Sequence, residues 1–522
     1  MKLVFLVVSL LLGLASVGIW LTQPDLASDK PVIYWVTDRN PARELQVERF
    51  HQWLVHEGHV DEHGKPIVEL RLDMANAQVS KIAIQSVSGV ASDLIDTYGE
   101  SMRLLQAMGV LTDLTEDAEA MGFGPNSTYD AMGPDLMVDG RQYRYPANVS
   151  VNLMWVNPEL LQRYGLDPPP PRWTWADFEQ LGVAFKKAAN SAGTRPADRK
   201  FISSHLMAHV FDLTNGVDPL NETLTGSALN NPAWIESLKT RKRWIYELNI
   251  LPTPDDVAAA PTEQGFGRSA LQLFGREQYA MLPGGRYMLV QLRRYSQIRE
   301  LDVVEVPHNT FPAAFISTRA VALYKGSKHP ELAKLFLAFL ASEAYSQTIV
   351  EDADALPPNP EFTRGEAFRS PSNYPREHGV HEIFADAAET IAVSMAYSPY
   401  VLPSIINRER NNAEQAYFNN RLTAEQAAEQ AARLIDRQIQ AELYRKPELL
   451  AAYARDAARQ RVLEELKAEG KPLPETWIKN PVHRAYYQAK GRLTDQTPPE
   501  PTPVVLPFDD EHAVSTVNES AS

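Results

Sequence analysis

Val32-Ile33-Tyr34-Trp35-Val36, a run of β-branched and aromatic residues directly after Pro31, reads as a strand. A helical stretch follows from Pro41 to about His56. Ile67-Val68-Glu69-Leu70-Arg71-Leu72 then alternates apolar and charged residues at period two. A further helix-then-strand step ends in Ala91-Ser92-Asp93-Leu94-Ile95-Asp96-Thr97-Tyr98. Strands separated by helices need parallel crossovers, so the architecture is α/β. Such sheets take their ligands beyond the carboxyl ends of the strands, which directs attention to the loops beginning at Thr37 and Asp96.

Further along, Pro330 suits a first helical turn, and Leu332, Leu335, Phe336, Phe339 and Leu340 fall on one face, with Ser342 restarting a shorter helix. Thr423 with Gln426 has capping-box spacing ahead of a seam of Ala428, Ala431, Ala432, Ile435, Ile439 and Leu443. Both seams read as core. Residues 447–493 form an Ala-, Arg- and Glu-rich helical extension. From Thr494 to Ser522 five prolines among acidic and small polar residues predict a flexible tail.

The 522 residues carry 51 Lys plus Arg against 66 Asp plus Glu, a net charge of −15 that disfavours binding to phosphate backbones. Cysteine is absent, which excludes disulfides, thiolate metal sites, cysteine nucleophiles and a lipidated N-terminal cysteine. Lys2 precedes a charge-free run from Leu3 to Leu21. The positive-inside bias keeps Lys2 in the cytoplasm, so the remainder is exported to the periplasm or another extracytoplasmic space. The run rises about 28 Å as a helix, enough for a membrane anchor, while Ser16 and Gly18 would equally suit a signal peptidase. Residues 1–30 are therefore a signal peptide or an N-terminal anchor.

The middle of the chain carries a family pattern. Asp139-Gly-Arg-Gln-Tyr-Arg-Tyr145-Pro146 leads to Asn152-Leu-Met-Trp155-Val-Asn157, then Tyr164-Gly165-Leu-Asp167, four prolines, and Trp173-Thr174-Trp175-Ala-Asp177-Phe178. Phe274 to Tyr287, with Gly284-Gly285, and Lys325-Gly-Ser-Lys328-His-Pro-Glu331 continue it in order, as do Ala355-Leu-Pro357 and the last amphipathic helix. From Pro31 to Tyr444 the chain resembles the extracellular solute-binding proteins of ABC importers, in the sugar-binding branch that includes maltose-binding protein. Thr174 and Asp177 have capping-box spacing, so the Trp-Thr-Trp run reads as a helix start with packing tryptophans.

The resemblance implies two lobes, each a largely parallel sheet flanked by helices, joined by three crossings near Asn148, Pro307 and Ala355. Lobe 1 would comprise 31–148 plus 307–354, and lobe 2 would comprise 149–306 plus 355–446. A solute would bind between them and be sequestered by closure, unaltered, for delivery to the importer's membrane subunits. Candidate contacts are Thr37, Asp38, Arg39, Asp96, Tyr98 and Glu100 in the first lobe, and Tyr145, Asn148 and Asn152 at the first crossing. The second lobe offers Ser204, His205, His209, Arg286, Tyr287, Tyr397 and Tyr400. Carboxylates and amides suit sugar hydroxyls, and rings suit the apolar face of a pyranose. Where maltose-binding relatives place a stacking tryptophan after the glycine turn, this chain has Arg286. A guanidinium there can stack on a ring or clamp an anion, so an acidic sugar stays open.

No cofactor or metal is implied. His51, His56, His59 and His63 with Asp61 and Glu62 have the donor chemistry for zinc, but their spacing bridges a helix end and a turn and reads as a solvated loop. The expected state is a monomeric, non-enzymatic receptor. The alternatives are an exported glycoside-processing enzyme, since paired carboxylates can cleave glycosides, and an envelope sensor or interaction protein on the same scaffold.

Overall fold

The computed structural model describes residues 30–204, 208–259 and 268–504. The apolar run 3–21 and His205 lie outside these ranges.

The first lobe opens with β1 (Val32–Val36), α1 (Ala42–His56), β2 (Glu69–Asp73), α2 (Val79–Val87), β3 (Leu94–Thr97) and α3 (Gly99–Ala107). β1 pairs in parallel with both β2 and β3, with Trp35 opposite Leu72 on one side and Leu94 on the other. The alternation in the sequence has its cause here. Ile33 and Trp35 point into a core with Phe50 and Leu54 of α1, whereas Tyr34 stays exposed.

The chain then runs through β4 (Arg144–Val151) and β5 (Leu153–Val156), α4 (Trp175–Ala189), β6 (Phe201–Ser203) and α5 (Ala208–Thr214). β7 (Tyr279–Gly284) and β8 (Asp302–Val304) complete a second sheet in the order β8-β5-β7-β6, in which β5 alone runs against the other three strands. Thr174 caps α4 reciprocally with Asp177, as their spacing predicts. Trp173 and Trp175 are buried, their indole N–H groups donating to Glu305 O and Thr214 Oγ1, both at 2.8 Å. They pack rather than bind.

β9 (Ala314–Leu323) returns antiparallel to β3 and to β4, followed by α6 (Pro330–Ala341) and α7 (Glu343–Asp352). Phe336 and Phe339 of α6 close the first core against Trp35 and Phe50. Next come α8 (Val380–Thr390), β10 (Ala392–Val393), α9 (Pro403–Phe418), α10 (Ala424–Arg445), α11 (Leu450–Ala468) and α12 (Pro481–Ala489). The Thr423 capping box and the alanine seam of α10 form as the pattern predicts.

The connections between lobes are short. β4 and β9 run through side by side, and Val149 exchanges both backbone hydrogen bonds with Leu356, at 2.9 and 2.8 Å. Beside this bridge Ala353 and Ala355 adopt φ of 59° and 69°. Pro307 lies elsewhere. The amides of Glu305, His308 and Thr310 bond to Pro171, Trp173 and Thr214, so this stretch is still pinned to the second lobe, and the passage falls on β9. The proline marks a bend in the chain, not the exit from the sheet.

The residues after Pro447 fold back on the second lobe. Glu222 is buried and accepts from Lys467 Nζ at 2.8 Å, Gln460 Nε2 at 2.6 Å and Tyr487 Oη at 2.7 Å. Burial opposes its ionisation, but the charges of His483 and Lys467 and the hydrogen bonds from Lys467 and Tyr487 hold its pKa down at about 2. The described part of the tail is also engaged: Arg459 clasps Glu500, and Val504 N bonds to Ala454 O at 3.2 Å. An extended, proline-rich segment is fixed here through its polar groups, which composition does not disclose. Residues 505–522 lie outside the described ranges.

Candidate functional site

The floor of the first lobe's ligand edge is an ion network. Thr37 Oγ1, Trp35 Nε1 (2.7 Å) and Arg319 Nη1 (2.9 Å) all donate to Asp96. Arg319 reaches on to Asp354 at 3.5 Å, and Asp354 also receives Arg43 and Asn40 Nδ2 (2.9 Å). Arg43 grips Asp38 with Nε at 2.9 Å and Nη2 at 3.1 Å. Burial alone would raise the Asp354 pKa, but the two guanidinium groups hold it below the usual carboxylate range. Asp352 accepts from Asp354 N at 2.8 Å and Gln46 Nε2 at 3.3 Å and feels the Arg43 charge, but these do not offset its burial. Burial and the Asp354 charge push its pKa up to about 7.

Above this floor the loops supply accessible groups. Tyr98, at the carboxyl end of β3, is 53% exposed, yet its hydroxyl is crowded enough by protein that desolvation pushes its pKa up to about 12. Asp38 and Glu100 are half-buried beside it, and Arg39 is exposed. Asp96 and Thr37 hold the loop rather than project from it.

In the second lobe Tyr287 and Tyr397 are half-buried and Ser204 is almost covered, as are Asn148 and Asn152 at the first crossing. Two contacts already bridge the lobes. Tyr397 Oη donates to Asp135, and Asn407 Nδ2 donates to Glu100 Oε2 at 2.9 Å. Arg103 lies over the Tyr397 ring, 4.8 Å from its centroid. Gly99 is indispensable to the first contact, because a Cβ there would sit 1.6 Å from the tyrosine oxygen. His209 lies on α5; its backbone is helical.

Three candidates are not at the gap. Tyr145 is 0% exposed in the first core, its hydroxyl 3.0 Å from Ser127 Oγ. Tyr400 is buried and donates to Asp456 of the extension at 3.0 Å. Arg286 is 1% exposed, and each of its donor nitrogens is occupied. Nη1 reaches Ile349 O and Ala355 O at 3.1 and 2.6 Å, Nη2 reaches Val350 O at 3.0 Å, and Nε donates to His381 Nδ1 at 2.8 Å. The guanidinium also covers the Phe368 ring at 4.7 Å. It thus caps the carboxyl end of α7 and ties it to the third crossing. Buried, and with four of its five N–H groups donating within the protein, Arg286 holds the fold together here and presents no accessible anion clamp.

Arg43, Arg319, Asp354, Asp135 and Gly99 were not among the candidates. A lone charge inside the otherwise uncharged Ala314–Leu323 segment was the available signal for Arg319, and the Glu351-Asp352-Ala353-Asp354 acid cluster was the signal for its partner. The histidines of residues 51–63 stay apart from the gap. His51 Nε2 accepts from Leu70 N at 3.0 Å, while the His56 and His63 side chains are exposed. Among the described residues no group of His, Asp or Glu is arranged to hold a metal.

Known proteins share this architecture. An ABC substrate-binding protein of Listeria monocytogenes in complex with cycloalternan superposes with a TM-score of 0.65 at 21% identity, over 79% of this chain and 100% of that one. UgpB of Mycobacterium tuberculosis, in complex with glycerophosphocholine, gives 0.62 at 15% identity, over 80% and 100%. Among curated sequences, a binding protein of Brucella abortus is 22% identical over 228 residues, 43% of this chain and 53% of its own, so the chain spans about half the length of the curated relatives it matches. The family model for bacterial extracellular solute-binding proteins matches residues 68–347, more than half of the 522, and with the two-lobed fold this places the chain in that family.

Proposed function

We propose that the protein is an extracytoplasmic receptor that captures a carbohydrate-like solute between its lobes and delivers it to an ABC importer, without chemical conversion. What supports this reading is the family match, together with the exposed Tyr98 at the carboxyl end of β3 and the bonds of Tyr397 to Asp135 and Asn407 to Glu100 that bring residues 397–407 against the first lobe. Rings offer apolar faces to a pyranose, and carboxylates, held from behind by Arg43 in the case of Asp38, accept from hydroxyls. The ligands of similar proteins, cycloalternan and glycerophosphocholine, are polyhydroxylated or bear a glycerol unit, which supports a polar, hydroxyl-rich solute. With Arg286 internal, a neutral sugar or polyol is favoured over an acidic one.

Thermal denaturation of the chain lacking residues 1–30, screened against oligosaccharides, ketohexoses, polyols and glycerophosphodiesters, tests the reading. A ligand that binds only the folded state raises Tm with the logarithm of its concentration above Kd, adding about 2.7 kcal/mol of stability at a hundredfold excess over Kd. Recovery of the same compound unchanged supports a receptor; its cleavage identifies a glycoside-processing enzyme instead. The packing of residues 447–504 on the second lobe favours one further reading, an envelope sensor, which predicts ligand binding with no dependence of uptake on the protein.

A further inference from the structure

Exposed large apolar side chains are concentrated in the first lobe. Ile84 and Val87, one turn apart on α2, are 68% and 71% exposed, and Val90, just past the helix, is 70% exposed. Gly89, with φ of 76°, turns the chain so that Val90 N bonds back to Gln85 O at 3.0 Å. A residue following such a glycine cap ordinarily packs on its helix; here it faces outward. The position of this patch is defined by the ladder. Val87 and Val90 precede the amino end of β3, and Tyr324 Oη, at the end of β9, reaches Ser86 O at 2.7 Å. Because β1 and β3 are parallel, the same end of the sheet holds the amino end of β1, where the described chain begins at Lys30. Exposed Lys325 and Lys328 adjoin it, whereas nearby Asp93 is engaged by Tyr34 N and Ser327 Oγ. Charge at this end is of both signs, since Asp61 pairs with Lys30, Glu69 lies opposite Val32, and Glu62 and Glu331 are exposed; what sets it apart is the cluster of exposed apolar side chains.

Only eight residues separate Lys30 from the charge-free run ending at Leu21, at most about 26 Å of extended chain. We infer that the chain retains this run as an anchor and that the patch around Ile84, Val87 and Val90 rests on a phospholipid bilayer, with the carboxyl ends of the strands facing away. Each component would be weak alone. Tethering converts docking into an intramolecular event at high effective concentration, so three apolar side chains suffice. The inference stands independently of the ligand reading, because none of its residues borders the gap.

The absence of cysteine makes a direct test possible. The full chain carrying Val87→Cys, or Val183→Cys on the second lobe as a control, is labelled with an environment-sensitive fluorophore. It is then reconstituted into phosphatidylcholine–phosphatidylglycerol vesicles containing brominated lipid. The expected result is lipid quenching at position 87 at least threefold greater than at 183, falling to the control level in the Ile84→Ser/Val90→Ser background. Equal quenching at both positions, or full access of aqueous iodide to position 87, overturns the inference and leaves the patch to a protein partner. So does recovery of exported protein in the soluble fraction with its N-terminus trimmed near Gly18. Ligand-induced shifts in Tm would be unaffected by either result, which separates this inference from the receptor reading.

Discussion

Gly99 has no room for a methyl group, because the Tyr397 hydroxyl occupies the space. Gly99→Ala should therefore separate the lobes. Small-angle scattering should show a larger radius of gyration, and titration calorimetry at least tenfold weaker binding of whichever solute stabilises the parent. Tyr98 offers its ring without supporting the fold, so Tyr98→Ala should cost about 1 kcal/mol of ligand affinity and leave the Tm of the unliganded protein within a degree. Arg286 is the reverse. Arg286→Leu strands three backbone carbonyls and should lower stability in urea by about 3 kcal/mol or more, with ligand contacts untouched. The sequence showed that a charge follows the glycine turn but not whether water reaches it, and burial is a property of all the elements that pack around a residue. Tyr145 and Tyr400 were misjudged for the same cause: a tyrosine in a loop-like context is equally suited to a core that satisfies its hydroxyl.

At the scale of elements, α7 and α8 carry two titrations of opposite sign. His381 is buried and accepts from Arg286, which with desolvation brings its pKa down to about 4 from an ordinary 6.5. Its contribution to stability is complete above pH 6.5 and is lost as pH falls through 4. Asp352 has its pKa raised to about 7, so its contribution is complete below the ordinary carboxylate value near 3.8 and is lost as pH rises through 7. Between pH 4 and 6.5 the two slopes oppose each other. Asp352→Asn should remove one of them, and urea denaturation across this range should then show stability rising with pH more steeply than in the parent. Elements whose signals are local were legible in the sequence. The Thr174 and Thr423 caps and the Ser342 restart need only neighbours within one turn. The second-lobe attachment of residues 305–310 depends on partners more than 90 residues away, and so the passage between lobes was misplaced at Pro307.

For the molecule as a whole, the α/β plan followed from the order of strand and helix patterns, because parallel pairing leaves few ways to connect them, whereas the division into two lobes came from the resemblance to solute-binding proteins. What the order of patterns could not disclose was the extension. Glu222 and Asn480, both buried, join it to the second lobe, and Gly216 closes against the Tyr486 ring. A chain ending at Lys446 would leave the Glu222 carboxylate without Lys467, Gln460 and Tyr487, and would expose Tyr400. Calorimetry of that truncation should show the second lobe melting earlier than the first, as two resolved transitions in place of one.

The third crossing adds a consequence of its own. Ala353 and Ala355 both hold the left-handed conformation, which an alanine adopts at a cost of order 1 kcal/mol and a glycine at almost none. The pivot on which the halves turn is thus wound against its own residues and kept so by Arg286 and the Val149–Leu356 bridge. The strain is held only while those bonds are made, so loss of the Arg286 guanidinium should let both alanines leave this conformation, and amide hydrogen exchange at residues 353–356 should then be faster than in the parent.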